Sequence, residues 1–300
     1  MQADSTRGKE TLPARLVPSQ YERDAIRAIH DWSRPDESWF GTAKVKVFEA
    51  YNAVTDRLRA VPGFEWTVEN VAGGILRLIN EITQEWVPYG TIYGRFGVKG
   101  HVVRGLEDIR WLDLSAADAA AAGLPKTYRN LAAVEGAATG YAGLAGIATD
   151  IVAVVALNLR ASGEFATTYG FDISEDTERL FALSLLDEVA RPSTKAKNVA
   201  LSPVVTLTNR LARQQAFQLI EQAALNGAIR RITKSLGIHL TRAKLAQIVP
   251  VTGAVVGGGY NAWYTYRVCK TASQLYRRRF LVAKYGEAVV ATFEGQSGPG

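Results

Sequence analysis

Apolar residues recur at steps of three and four through most of the chain, the period of an amphipathic helix. Tyr21, Ala25, Ile29 and Trp32 mark a first helix, which Pro35 closes. The pattern predicts a second helix over 37–61, stopping before Pro62-Gly63. A third covers 68–86, with Val71, Ile75, Leu78, Ile79 and Ile82 on its apolar face. Residues 88–100 hold Gly90, Gly94, Gly97 and Gly100 among aromatics, which predicts a loop or short irregular segment with some β structure as the alternative. One or two short helices follow over 106–123, with Ser115 as the N-cap between them. From Pro125 the chain reads as helix with breaks as far as Tyr169, where Gly170 supplies a left-handed stop. Ser174 then caps a helix that places Glu175, Asp176 and Glu178 at its positive end and finishes near Arg191-Pro192. A long amphipathic helix after Pro203 buries Leu207, Leu211, Phe217, Ile220 and Leu225. A last segment starts near Leu240, is interrupted at Pro250 and continues to Tyr285-Gly286. The elements define an all-α fold, a helical bundle with two central glycine-rich helical segments packed together. It forms a single helical domain over 19–290, between polar tails expected to be disordered at 1–18 and 291–300.

The two central segments share a design. Gly136, Gly140, Gly143 and Gly146 lead into Asp150; Gly253 and Gly257 lead into Asn261. Each set falls on one helix face. A glycine inside a helix costs about 1 kcal/mol relative to alanine, so such a stripe implies close helix approach. An acid on that face needs a partner or a task. On an unbroken helix Glu135 lies within about 60° of Asp150. Two such carboxylates can bind a cation, act as an acid/base pair, or receive an arginine, with Arg160 and Arg179 the nearest in sequence. A buried structural ion pair is the plainer alternative. Asn261 is suited to cross-link helices through its amide.

Residues 245–266 form an uncharged run of 22, long enough to cross a bilayer. Pro250, four glycines, Gln247 and Asn261 dilute it and argue against a simple span. In the first segment Glu135 and Asp150 confine the uncharged run to 14 residues. Arg277, Arg278 and Arg279, preceded by Arg267 and Lys270, read either as a cationic collar at a lipid headgroup layer or as a solvated helix face. Asp172, Glu175, Asp176 and Glu178 form an acidic cluster, as do Glu107, Asp108 and Asp113. Asp172 and Asp176 are the metal candidates; helix capping accounts for the first cluster without a metal, and exposure for the second.

Composition narrows the class. Hydrophobic residues make up 47% and charged residues 21%, the balance of a folded chain. The net charge of +6 suits an anionic membrane or ligand and is too small to argue nucleic acid. Cys269 is the sole cysteine, so no intramolecular disulfide forms and a reducing compartment is expected. His30, His101 and His239 are far apart in sequence and receive no role. The polar stretch 1–18 lacks the apolar core of a secretory signal. Nucleophile-elbow, Walker A, dinucleotide, zincin and kinase motifs are missing, as are the acid boxes of isoprenoid chemistry. No cofactor is expected.

The run Glu135-Gly136-Ala137-Ala138-Thr139-Gly140, then 143–150, Arg160, Tyr169-Gly170-Phe171-Asp172 and Glu178-Arg179, resembles the core pattern of the EcsC family. The run 248–261, with Pro250, Gly253, Gly257 and Asn261, resembles that family's second motif, and is similar to one in certain membrane-associated GTPases. Together they span about 131–279, half the chain. The resemblance implies a mostly helical bacterial protein encoded near, or acting with, an ABC-type exporter and secretion system. The family's activity is not established, so no catalytic residues carry over.

The leading expectation is a non-enzymatic accessory protein, cytoplasmic and peripheral to the inner face of the membrane, supporting transport, secretion or envelope processes. Its partners are an anionic membrane surface or membrane transport proteins; an integral span is the less favoured alternative. The competing expectation is an enzyme acting on a lipid or isoprenoid ligand in an interhelical pocket. There Asp150 and Glu135 would serve as acid/base or cation-binding groups, and only there would a divalent cation be needed.

Overall fold

The computed structural model describes residues 17–33, 62–82, 84–138, 143–191, 218–248 and 258–294. They form α1 (Gln20–Ser33), α2 (Phe64–Glu81), α3 (Tyr89–Gly97), α4 (Leu106–Arg110), α5 (Leu114–Ala121), α6 (Leu124–Ala138) and α7 (Gly143–Thr168). After these come α8 (Asp176–Ala190), α9 (Gln218–Ile248), α10 (Gly258–Tyr285) and α11 (Glu287–Glu294), with one 3-10 turn at Gln84–Trp86. Among the described residues there is no strand, and the fold is all-α.

The core forms around α7. Every residue from 161 to 170 is buried, polar ones included, because α2, α6, α8, α9 and α10 all pack against this helix. Tyr128 of α6 bonds Glu164 while Glu135 feels the charge of Asp150, so α6 runs antiparallel to α7. Asn261 meets Asp150 and Thr265 meets Asn158, so α10 runs parallel to it. α6 lies along α10, and α9 lies across α2 and α8. Gly74 of α2 and Gly163 of α7 leave no room for a side chain where their neighbours pack. A Cβ on Gly74 would stand 2.6 Å from Val152 Cγ2, and one on Gly163 2.8 Å from Val87 Cγ2.

Several elements differ from expectation for local reasons. Residues 89–97 are helix α3 rather than loop: Ile92 and Phe96, four apart, are buried while Gly90, Gly94 and Gly97 stay on the outside. Asp113, not Ser115, caps α5, its carboxylate accepting from Ser115 N at 2.9 Å. α2 begins at Phe64, directly after the left-handed Gly63, and ends at Glu81. α8 begins at Asp176 with Glu175 at the cap, because Ser174 N is engaged by Asp172 Oδ1 at 2.8 Å in an Asx turn. Leu240 lies inside α9, so no helix starts there. The expected stop at Gly170 is present, with φ 82°. At the C-terminal end α11 carries the domain through Glu294, held by buried Val290 and an Arg278–Glu294 pair. The predicted helix over 37–61, the start of the helix after Pro203, and Gly140, Pro250, Gly253 and Gly257 lie outside the described residues.

Candidate functional site

Asp150 of α7, Lys244 of α9 and Asn261 of α10 meet at the polar centre of the bundle. Lys244 Nζ is ion-paired to Asp150 Oδ2, and Asn261 Nδ2 donates to Oδ1 at 3.1 Å. The three residues are 5%, 9% and 0% exposed, so the pair is formed away from water. The Lys244 ammonium also lies 5.7 Å from the centroid of the Tyr260 ring. Neither arginine expected near Asp150 is the partner seen in this pair: Arg160 is exposed, and Arg179 donates to Ile79 O and Ser174 O and pairs with Asp176. Glu135 approaches from α6, half-buried. Burial first, and then the charge of Asp150, hold its carboxyl above the usual range. The two carboxylates therefore approach across a helix pair rather than along one helix. With both oxygens of Asp150 engaged, the arrangement is a cross-link of three helices. The acid/base role proposed for Asp150 and Glu135 gains no support from it.

The Arg277-Arg278-Arg279 run is not a free cationic collar. Arg277 Nε lies 3.0 Å from Asp118, whose carboxylate also accepts the hydroxyls of Tyr21 and Tyr169, each at 2.7 Å. Arg278 pairs with Glu287 and Glu294. Arg279 grips Glu178 with both terminal nitrogens, its guanidinium 4.1 Å from the Phe171 ring centroid and 4.4 Å from that of Phe181. Further along, Lys284 pairs with buried Glu22 at 2.9 Å. The cause is a charge asymmetry: residues 222–286 contain eleven Lys and Arg and no Asp or Glu. A hairpin of that composition must find its counter-ions on other elements. The motif residues Tyr169, Glu178 and Arg179 thus serve packing and pairing.

The metal candidates are also engaged. Asp172 accepts from Tyr89 Oη at 3.0 Å and from Ser174 N, and Asp176 pairs with Arg179 at 3.0 Å. Among the described residues no group of three or more His, Cys, Asp or Glu is placed to hold a metal ion. His239, given no role from sequence, sits half-buried between α9 and α8. Burial lowers its pKa, with Asp187 acting against that shift and Arg191 and Arg242 adding to it.

One face of α10 stays in solvent. Trp263 and Tyr266 are 44% and 39% exposed. Arg267 lies 4.9 Å from the Trp263 ring centroid and Lys270 5.7 Å from that of Tyr266. Positions 263, 266, 267 and 270 share one side of the helix, giving two partly exposed aromatics each with a cation beside it, and the Trp263 ring also packs on Tyr260 with centroids 5.7 Å apart. The sequence does not single out Trp263 and Tyr266, because both fall inside the uncharged run 245–266, whose length and composition bear on a membrane span and not on which side of a helix is bare. One described helix, Gly146–Thr168, is long and apolar enough to cross a membrane, with hydropathy 1.3. It is the core helix α7, with 61% of its apolar window buried.

A helical bundle whose glycine-flanked acid and asparagine meet at its centre is the class of protein these features define. The model of the EcsC protein family matches residues 64–281, and the chain belongs to that family. It is 30% identical over 186 residues to the uncharacterised protein YdbA of Bacillus subtilis, covering 62% of this chain and 66% of YdbA, just under two thirds. It is 24% identical over 187 residues to Protein EcsC of the same organism, covering 62% of this chain and 73% of that protein. No solved structure matches it.

Proposed function

We propose that this protein is a membrane-peripheral accessory protein that docks on an anionic bilayer at the inner face of the membrane and supports transport, secretion or envelope processes there. The observation that supports this is the face of α10 that carries the exposed Trp263, Tyr266 and Lys270, with the half-buried Arg267 stacked on Trp263. Tryptophan and tyrosine favour the headgroup layer, where an apolar ring and a polar edge are both accommodated. Lysine and arginine near an anionic surface add about 1 kcal/mol each. Burying two large aromatics held out in water adds roughly 1.5–3 kcal/mol for each that is fully covered. Arg277, Arg278 and Arg279 take no part, since each has its counter-ion within the chain. The test is flotation with phosphatidylglycerol and phosphatidylcholine vesicles across a salt series. Association with the anionic vesicles that weakens as salt rises is expected. Equal indifference to both lipids at low salt would remove the reading.

A further inference from the structure

We propose that α6 lies beside α10 against the same anionic bilayer, so that the docking face is a pair of antiparallel helices lying flat rather than one helix. The proposal rests on the membrane reading above and names the rest of its contact surface. α6 and α10 pack on each other and both pack on α7, so their outer sides form one face of the bundle. Glu135 and Asn261 both approach Asp150, which sets the two helices in register. The turn before Glu135 is therefore level with the turn after Asn261, and this brings Leu131 and Val134 alongside the level of Trp263 and Tyr266.

α6 is held to the bundle by a narrow stripe. From Leu124 to Glu135 the buried residues are Leu124, Tyr128 and Ala132, one per turn. The outer side of such a helix is ordinarily polar throughout. Here Leu131 is 50% and Val134 75% exposed, and the exposed charges on the same helix are Lys126 and Arg129. Neither cation is ion-paired among the described residues, and Arg129 donates to its neighbour Asn130. The one acid of α6, Glu135, is half-buried toward Asp150. The face continues at the end of α3, where the exposed Val98 and Lys99 border Leu124 and Thr127 of α6. Bare aliphatic side chains among cations, with no exposed acid on either helix, match apolar tails beneath anionic headgroups. Charge alone does not single this face out, since Arg230, Arg231 and Lys234 are exposed on α9. That helix, however, packs on α2, which exposes Glu65, Glu69 and Glu81, and none of its described side chains is a bare large hydrophobic.

Titration of the full chain with phosphatidylglycerol vesicles at low salt, with phosphatidylcholine vesicles as the zwitterionic control, tests the two-helix face. Leu131→Ser/Val134→Ser should weaken binding by about tenfold, because part of each side chain is already covered by the protein and the rest remains to be buried. Lys126→Glu/Arg129→Glu and Arg230→Glu/Lys234→Glu lower the net charge by the same amount, one pair on α6 and the other on α9. The α6 reversal should cost at least about tenfold more affinity than the α9 reversal. These four positions are exposed, so the charge variants decide the matter where the serine variant fails to fold. A folded serine variant that binds as tightly as the unaltered chain overturns the proposal. So does an α6 reversal that costs no more than the α9 reversal. In either case, loss of binding in Trp263→Ser/Tyr266→Ser leaves docking through α10 standing by itself. Failure of the unaltered chain to bind anionic vesicles removes both.

Discussion

Replacing Asp150 by Asn removes one charge of a pair whose other member is largely shielded from water. Asp150 is 5% and Lys244 9% exposed, so Lys244 would remain as an uncompensated ammonium inside the bundle. Breaking a buried pair in this way costs about 3–5 kcal/mol. For a domain of this size each kcal/mol lowers Tm by about 2–4 °C, which gives a fall of roughly 6–20 °C. Asn261→Ala should cost less, about 1.5–3 kcal/mol, because it removes one hydrogen bond to the carboxylate and leaves the ion pair standing. The double replacement Asp150→Leu with Lys244→Met removes both charges. It should recover most of the single-variant loss, since apolar isosteres of buried pairs are neutral or stabilising by about 1–4 kcal/mol. Chemical denaturation followed by far-ultraviolet circular dichroism, closed as a double-mutant cycle, reads all of these. A loss below about 0.5 kcal/mol for Asp150→Asn, the size of an ordinary surface change, would refute the pair as the link between α7, α9 and α10.

Arg279→Lys keeps the charge but loses the grip on Glu178 and the stacking over Phe171 and Phe181; a destabilisation of about 2–4 kcal/mol is expected in the same denaturation assay. Burial opposes ionisation of Glu22, but hydrogen bonds from Lys284, Tyr285 and Ser19 outweigh it and hold the carboxyl below its usual 4.5. Because the folded value is the depressed one, the stabilisation is full above pH 4.5 and is lost as pH falls through the folded value. Glu22→Gln should therefore lower Tm at neutral pH and flatten the acid limb of a Tm-against-pH curve. Gly170→Ala puts a Cβ at φ 82°, 3.2 Å from Leu106 O and 3.1 Å from Arg110 Cγ. It should cost about 1–2 kcal/mol or more, measured as a shift in denaturation midpoint.

What could be read from the chain alone was what is decided locally. The Gly170 stop and the end of α8 beside Arg191 depend on a few neighbouring residues, and they appear where expected. α3 was obscured because four glycines within 88–100 outweighed the Ile92/Phe96 spacing that buries one side of it. The partner of Asp150 was hidden for another reason. Lys244 belongs to a different helix, and no periodicity links positions so far apart; two arginines closer in sequence were the natural but incorrect choices. Asn261 could be anticipated, since it occupies in the second glycine-flanked segment the place Asp150 holds in the first. The arginine run looked like surface because a run of charges carries no record of the acids it will meet. The absence of any acid across 222–286 was the available clue that α9 and α10 draw their counter-ions from α5, α7, α8 and α1.

Docking through α10 is tested most directly by flotation of the unaltered chain beside Trp263→Ser/Tyr266→Ser on phosphatidylglycerol vesicles at low salt. Both side chains lie outside the buried core, so the double variant should keep its fold, which far-ultraviolet circular dichroism checks. The unaltered chain should float and the variant should remain with the soluble fraction. Equal flotation of the two would contradict docking through this face.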